Sequence, residues 1–446
     1  MKRINLLVFA LAFTLLSVSG AWAQGKYRNV ELTILNKDGR YQKNEKVEVW
    51  AERLQNDGEN LLLTVLENGE ETIKAEPLKL KNGKKKRILS KSYDQPVNVL
   101  IKVAPESSPK EYSSVAFIVA PEEFRPGFEE PADFQEYWQA QVAQMRQSEM
   151  VATLTPVEIP ADKKRFEERV EVYDLEISMP EGNPVRAYIS WPKNVQKGSC
   201  GILIVPHGSG VRTSNLNNAI HRAHSNQAIV IDVNAHGILN GQSKEFYKSL
   251  ADGELKDYRT RKCAVKEDCY FRLMYLRMQR VLDYACSLDL WDGKKVVLDG
   301  TSQGGGQSAA LAGLDPRVTF VSLVVPALTD MGGKFAGHSA GWPYYGRFDE
   351  KKHGDYMNVA PYYDAVNFLK HYNGILVVEA GLTDTTCPPE CVFAAFNVAA
   401  STDKTIYTNP YRSHGTKELW ENNLAEWEET IGNPRKEKIM HYWRNK

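Results

Sequence analysis

The sequence predicts an α/β chain with a small all-β module in front of it. Three observations carry this. Up to about Pro121 strand-like runs follow one another with no helix between them; beyond about Thr155 strands alternate with helices; and the apolar runs of the second region are nearly continuous, as in a parallel sheet covered on both faces. At 446 residues the chain is long for one domain, in keeping with one large and one small unit. Its 42% apolar and 25% charged content is that of an ordinary globular protein, and 56 basic residues balance 56 acidic ones. Net charge therefore gives no reason to expect nucleic acid or an anionic membrane as a partner.

The first element, residues 1–23, reads as a signal peptide. "MKR" is a basic segment, "LLVFALAFTLL" an apolar one, and "AWAQ" offers small residues for cleavage after Ala23. Ser17, Ser19 and Gly20 interrupt an apolar run already short for a spanning helix, and no cysteine lies close enough for a lipid anchor. The mature chain is expected to be secreted or periplasmic, with no membrane association after cleavage. Six cysteines suit an oxidising compartment, and Cys263 and Cys269 in "KCAVKEDC" are the expected disulfide pair. Cysteine and histidine spacing gives no metal site.

Residues 24–121 carry the runs "NVELTILN", "KVEVWAERL", "LLLTVLENG", "PVNVLIKV" and "SVAFIVAP", separated by "NKDG", "QNDG" and "KNGKKK". Strands punctuated by turns predict a small immunoglobulin-like β-sandwich. The basic run Lys84–Arg87 beside Asn82-Gly83 reads as a solvated hairpin turn rather than a binding patch. Residues 122–154 form a connector, in which "ADFQEYWQAQVAQM" starts a helix.

Residues 155–446 supply the alternating part. Its strands are "EVYDLEISM", "PVRAYISW", "CGILIVPHG", "AIVIDVNAHG", "KKVVLDG", "FVSLVVPAL", "GILVVEAGL" and "KTIYTNPY", with "CYFRLMYLRMQRVLDYAC" as a helix between the fourth and fifth. Two antiparallel leading strands followed by β/α alternation is the arrangement of an α/β-hydrolase. In that frame Gly300-Thr301-Ser302-Gln303-Gly304 is G-x-S-x-G between a strand and a helix. The turn is so tight that residues two before and two after the serine must lack side chains, and the hydroxyl is lifted to the C-terminal edge of the sheet.

A serine hydroxyl needs a base and an orienting acid, here expected downstream in the order Ser, Asp, His. Asp384 follows the strand "GILVVEAGL", and His414 follows "KTIYTNPY" in "RSHGT", each on the edge that carries Ser302. Asp330, Asp349 and Asp364 do not follow a late apolar strand in this way; His338, His353 and His371 precede the final strands, and His441 is in the tail. The oxyanion donors are expected from the backbone of Gln303, at the helix N-terminus, and of Ser209 in "IVPHGSGVRT", with His207 fixing that loop.

"PHGSG", "GTSQGGGQSAALAGLDPRV", "AGLTDTTCPPECVFAAFN" and "YRSHG", with "PADFQEYWQ" and "DCYFRLMYLRMQRVLDY" before them, resemble the acetyl xylan esterase and cephalosporin-C deacetylase family from about Glu129 to Trp443. The resemblance implies Ser302 as nucleophile, His414 as base and Asp384 as orienting acid. It also implies an acetylated oligo- or polysaccharide as substrate, no cofactor, and a homo-oligomer as a compatible assembly. The chain departs from the family at Ser209, where tyrosine is usual; at Gly415, where glutamate is; at "NAHGILNGQ", in place of an Arg-Gly-Gln segment; and in the added β-sandwich.

The alternatives are an esterase for a larger acyl or uronate ester, a serine peptidase of the prolyl-oligopeptidase type and a non-catalytic carbohydrate-binding protein. The peptidase usually carries a β-propeller, which about 100 residues without a repeat do not supply. The intact Ser/Asp/His set speaks against the binding protein. The aromatic segments "GWPYYGRF" and "PYYDAVNF" suit sugar stacking, although packing is the commoner use of such residues.

Overall fold

The computed structural model of the protein describes residues 27–69, 71–345, 350–415 and 421–444. The expected signal peptide, residues 1–23, lies outside the described residues.

Eight strands come first: β1 (Val30–Ile34), β2 (Arg40–Tyr41), β3 (Lys46–Arg53), β4 (Leu61–Glu67), β5 (Glu71–Leu78), β6 (Lys85–Ser92), β7 (Val97–Pro105) and β8 (Ser113–Val119). They form two sheets, ordered β1-β3-β6 and β2-β8-β7-β4-β5. Alternation brings the sheets face to face. Val47, Val49 and Ala51 of β3 point inward with Leu61, Leu63 and Val65 of β4, while Trp50 of β3 is partly exposed. The turn at Asn82-Gly83 is present, with the Lys84 N–H donating to Lys81 O (3.2 Å). The basic residues after it continue into β6, an exposed edge strand rather than a turn, and lysine-rich edges resist unwanted pairing. β7 and β8 are buried on both faces. Their inward residues fill the sandwich, while Leu100, Ala116 and Ile118 pack outward on Leu382, Phe393 and Ala394 of the following region.

The second region has one nine-stranded sheet. β9 (Ala152–Pro156), β10 (Val170–Ile177), β11 (Val185–Pro192), β12 (Cys200–Pro206), β13 (Ile229–Val233), β14 (Trp291–Thr301), β15 (Phe320–Val324), β16 (Ile375–Gly381) and β17 (Lys404–Asn409) lie in the order β17-β16-β15-β14-β12-β13-β11-β10-β9. β12 to β17 are parallel, and β9, β10 and β11 pair antiparallel at the other edge. This is the α/β-hydrolase sheet. All eight expected strands are present; β9 is an addition, an exposed edge strand in the stretch read as a connector.

Helices cover both faces. On one, helix Tyr270–Ser287 buries Met274, Met278, Val281, Leu282 and Ala285. On the other, helix Leu216–Asn226 and the C-terminal helix Asn433–Arg444 pack against a layer that includes Leu203, Val230, Val297 and Phe320. Trp342, Tyr345, Tyr363 and Phe368 from the two aromatic segments are buried in this core, so these rings pack rather than face solvent. The cysteines are free thiols; the expected Cys263–Cys269 disulfide is not formed, and the two sulfurs instead meet at 3.0 Å, with Cys263 also receiving the Tyr345 hydroxyl (3.1 Å). Among the described residues no helix is long and apolar enough to cross a membrane.

Close backbone approach limits the helix that follows β14. A Cβ on Gly313, near its end, would stand 2.3 Å from the Phe368 carbonyl oxygen. Gly313→Ala is expected to lose about 1–3 kcal/mol of stability by overpacking, read from denaturant unfolding; an unchanged midpoint would show that the two helices can move apart freely.

Candidate active site

β14 ends at Thr301 and the helix Gln303–Leu314 begins two residues later, so Ser302 alone makes the turn. Its backbone sits at φ 57° and ψ −124°, a left-handed conformation that L-residues seldom hold. Four backbone hydrogen bonds fix it: the Ser302 N–H donates to Val324 O (2.9 Å), and its carbonyl accepts from Gly305 (2.8 Å), Gly306 (3.2 Å) and Ala327 (2.9 Å). The flanking glycines are required by space. A Cβ on Gly300 would lie 2.2 Å from Gly304 O, and one on Gly304 2.2 Å from Pro206 O.

Two other strand ends converge here. Asp384 follows β16 and is buried; its Oδ1 accepts the N–H groups of Thr386 (2.8 Å) and Cys387 (2.9 Å). Its Oδ2 lies 2.8 Å from His414 Nδ1, and His414 Nε2 lies 2.9 Å from Ser302 Oγ. The structure thus brings Ser302, His414 and Asp384 into one hydrogen-bonded chain. With Nδ1–H donated to the carboxylate, His414 Nε2 is free to accept the hydroxyl proton. The His414 loop is anchored from beneath by a buried ion pair, Arg412 Nε to Glu379 Oε1 (2.9 Å), and Glu379 also accepts the Trp427 indole N–H (3.0 Å). Cys387 packs beside Ser302 and Asp384, and burial pushes its thiol well above the usual range, so it stays a protonated thiol at neutral pH.

The loop after β12 completes the site. Gly208 meets Ser302: a Cβ there would stand 3.8 Å from Ser302 Cβ. Ser209 follows, its carbonyl taken by Arg212 Nη1 (2.8 Å). The Gln303 N–H is one of the first-turn donors that a helix leaves without an internal acceptor. His207 donates Nδ1–H to Gly208 O (2.6 Å) and accepts the Ala235 N–H at Nε2 (3.0 Å), a neutral tautomer that ties the loop to the end of β13. Burial, with Arg212 and His236 nearby, holds its pKa well below the usual histidine value.

Sequence reasoning missed three supports. Tyr258 donates to Gln303 Oε1 (2.5 Å) and receives the Gly210 N–H (3.4 Å), joining the elbow to the loop. His236 contacts Gly210 O (3.1 Å), and Arg212 holds Ser209. They come from separate connections with no shared motif; only the paired histidines of "VPHG" and "NAHG" hinted that these loops meet.

Residues set aside at the sequence level lie elsewhere. His371 pairs with Glu130 (2.7 Å), and His441 is on the exposed C-terminal helix. Asp349 and the side chain of His353 lie outside the described residues. Asp330 and Asp364 sit with Glu390, His338 and Cys391 in a second buried polar cluster. Asp330, His338 and Cys391 place ligand atoms within 4.8 Å of one another. The His338 ring nitrogens lie 3.1 Å from the carbonyl oxygens of Ser339 and Arg125, and Nε2 also lies 3.3 Å from Asp330 Oδ2.

With the geometry established, the comparisons decide the family. The profile of the acetyl xylan esterase (AXE1) family matches residues 120–431. This chain belongs to the acetyl xylan esterase family. Over 302 residues it is 29% identical to the acetyl esterase Axe7A of Xylanibacter ruminicola, a match that spans 67% of this chain and 66%, just under two thirds, of that relative. An acetyl xylan esterase from Paenibacillus sp. R4 superposes with a TM-score of 0.58 at 22% identity, covering 76% of this chain and 99% of that one. Acetyl xylan esterase 1 from Thermoanaerobacterium sp. JW/SL YS485 gives 0.54 at 22%, covering 73% and 98%. At these identities the two structures establish the common fold.

The second cluster gives a pH prediction. Burial, then the charge of Glu390, pushes Asp330 up to about 7, and burial raises Glu390. Carboxyls that hold protons more tightly when folded stabilise fully below their unfolded pKa, about 4, and lose that contribution as pH rises through about 7. The contribution of this cluster to unfolding free energy is therefore expected to fall as pH rises from about 4 through about 7, against the rise that buried neutral histidines such as His207 give below about pH 6.5. Glu390→Gln is expected to make the pH slope of stability less negative than that of wild type, and equal slopes for the two proteins would contradict it.

Proposed function

We propose that the protein is a secreted serine esterase that removes acetyl groups from acetylated xylan or xylo-oligosaccharides through an acyl-enzyme. The observation that carries this reading is the Oγ–Nε2 and Nδ1–Oδ2 chain at 2.9 and 2.8 Å in a member of the acetyl xylan esterase family. In this reading residues 1–23 are removed on export, residues 155–446 carry the reaction, residues 24–121 are an added β-module and residues 122–154 join them.

Ser302 Oγ attacks the acetyl carbonyl carbon while His414 Nε2 takes its proton. Asp384, held by two backbone N–H groups, stabilises the imidazolium in the orientation that points Nε2 at the serine. Negative charge that develops on the carbonyl oxygen is received by the Gln303 and Ser209 N–H groups. Collapse breaks the ester bond, and His414 protonates the departing sugar hydroxyl. Water then attacks the acetyl-serine with His414 again as base, and acetate leaves as the Ser302 hydroxyl is restored. Every proton moves between groups already named.

The test is acetate release from acetylated xylan, from peracetylated xylose and from a longer-chain acyl ester. Wild type is expected to release acetate, and Ser302→Ala to lose at least ~10⁴-fold in kcat. Turnover of the long-chain ester without acetate release would keep the serine chemistry and overturn the acetyl substrate; silence on every ester would overturn the reading.

A further inference from the structure

We propose that the N-terminal β-sandwich is part of the catalytic apparatus: its Asn98 and Arg40 are positioning residues that hold the two strand ends from which Asp384 and His414 project. The proposal rests on the hydrolase reading above and assigns the added module a role in it.

The sandwich meets the large sheet at the ends of β16 and β17, where the acid and the base begin. Asn98, buried in β7, donates its Nδ2 to Phe117 O in its own sheet and to Leu382 O across the joint, both at 3.3 Å. Leu382 stands two residues before Asp384. Its side chain is enclosed by Leu100, Ala116, Ile118 and Phe124, and it presses so closely on Gly39 (φ +71°) that a Cβ there would lie 2.5 Å from Leu382 Cδ1. On the base side, Arg40 donates Nε to Thr408 Oγ1 (3.0 Å) and Nη2 to Ile406 O (2.6 Å), and its guanidinium lies over the Phe393 ring. Thr408 in turn donates to Asp38 O (2.8 Å), and the Ala116 N–H of β8 donates to Pro410 O (2.9 Å), four residues before His414. The two clamped segments are also tied together, Leu382 N–H to Asn409 O (3.2 Å) and Thr383 N–H to Arg412 O (3.1 Å).

These contacts bear on chemistry because they fall on backbone next to the reacting groups. Hydrogen bonds of 2.8 and 2.9 Å tolerate little error, and misplacement of a catalytic group by about 1 Å from a remote change can cost about 10²-fold. A module that served only to bind glycan would have no need to bury polar side chains against the acid and base loops. Signs of this joint are present in the sequence of β7 and β8, which read "VNVLIKVAP" and "SSVAFIV". Near-continuous apolar strands mean a sheet covered on both faces, and a free-standing sandwich has no cover for the second.

The test uses the full chain with p-nitrophenyl acetate turnover and phosphorylation of Ser302 by diisopropyl fluorophosphate, each variant being checked for a cooperative melt. Asn98→Ala and Arg40→Met are expected to lower kcat and the phosphorylation rate about 10- to 100-fold with KM within about threefold of wild type. Arg40→Lys, which keeps one donor, is expected to recover part of the loss. Removing the acid should remove what Asn98 acts on, so in an Asp384→Asn background Asn98→Ala is expected to cost less than about threefold more. Arg87→Met, on the exposed strand β6, is the control expected to match wild type.

Should Asn98→Ala fail to fold, Arg40→Met and its lysine rescue carry the same test on the base side. Folded variants with wild-type kcat, or an Asn98→Ala loss undiminished without the acid, would overturn the proposal. A wild-type enzyme inert to both reagents is a different result, one that overturns the hydrolase reading and this proposal with it.

Discussion

A single residue held in an unfavourable backbone conformation organises the candidate site. Ser302 stays at φ 57° and ψ −124° because Val324, Gly305, Gly306 and Ala327 all bond its peptide groups, and because Gly300 and Gly304 leave room for the turn. Strain of this kind costs on the order of 1–3 kcal/mol and persists only where its surroundings over-determine it. Those surroundings are the parallel strands β12 and β15, buried almost throughout, and between them the buried Val296, Val297, Leu298 and Gly300 of β14. The same strand ends direct the loop with Gly208, the Asp384 turn and the His414 loop to one place. The hydroxyl, the imidazole and the carboxylate meet because the sheet has a common C-terminal edge.

The polar groups around the triad are arranged so that little has to reorganise. Asp384 is filled by two N–H groups and one imidazole, His207 is held neutral between a carbonyl and an N–H, and Arg412 and Glu379 neutralise each other below the base. Here they fix loops that a hydrophobic core alone would leave adjustable, and the β-sandwich adds a second wall of contacts on the outer side of the acid and base loops.

Much of this was legible in the sequence, for physical reasons. Strands buried on both faces, β12, β13, β15 and β16, write themselves as apolar runs, and half-buried β10 as an alternation, so β10 to β17 could be read in order, and reading them in order put Ser302, Asp384 and His414 at the ends of three strands. β2, β5, β6 and β9 were not read: all four are edge strands, β2 is only two residues long, and the side chains of exposed β6 and β9 answer to solvent rather than to a core period. The Cys263–Cys269 pairing was inferred from spacing, yet spacing fixes proximity and not bonding: the sulfurs are neighbours and remain thiols. Tyr258, Arg212 and His236 act through contacts between connections distant in sequence, and no local pattern announces such meetings. The docking of Asn98 and Arg40 falls between these cases, since the double-faced burial of β7 and β8 is written in the sequence while the surface that covers them is not.

The central claim is a covalent acetyl-enzyme on Ser302. Its most direct test is to mix the protein with p-nitrophenyl acetate, quench in acid within the first turnover, digest, and read the peptide containing Ser302 by mass spectrometry. The account predicts one acetyl group on Ser302 in the wild type, and none anywhere on the Ser302→Ala protein. Acetate released by wild type with an unmodified Ser302 at every quench time, or an acetyl group trapped on a different residue, would contradict it.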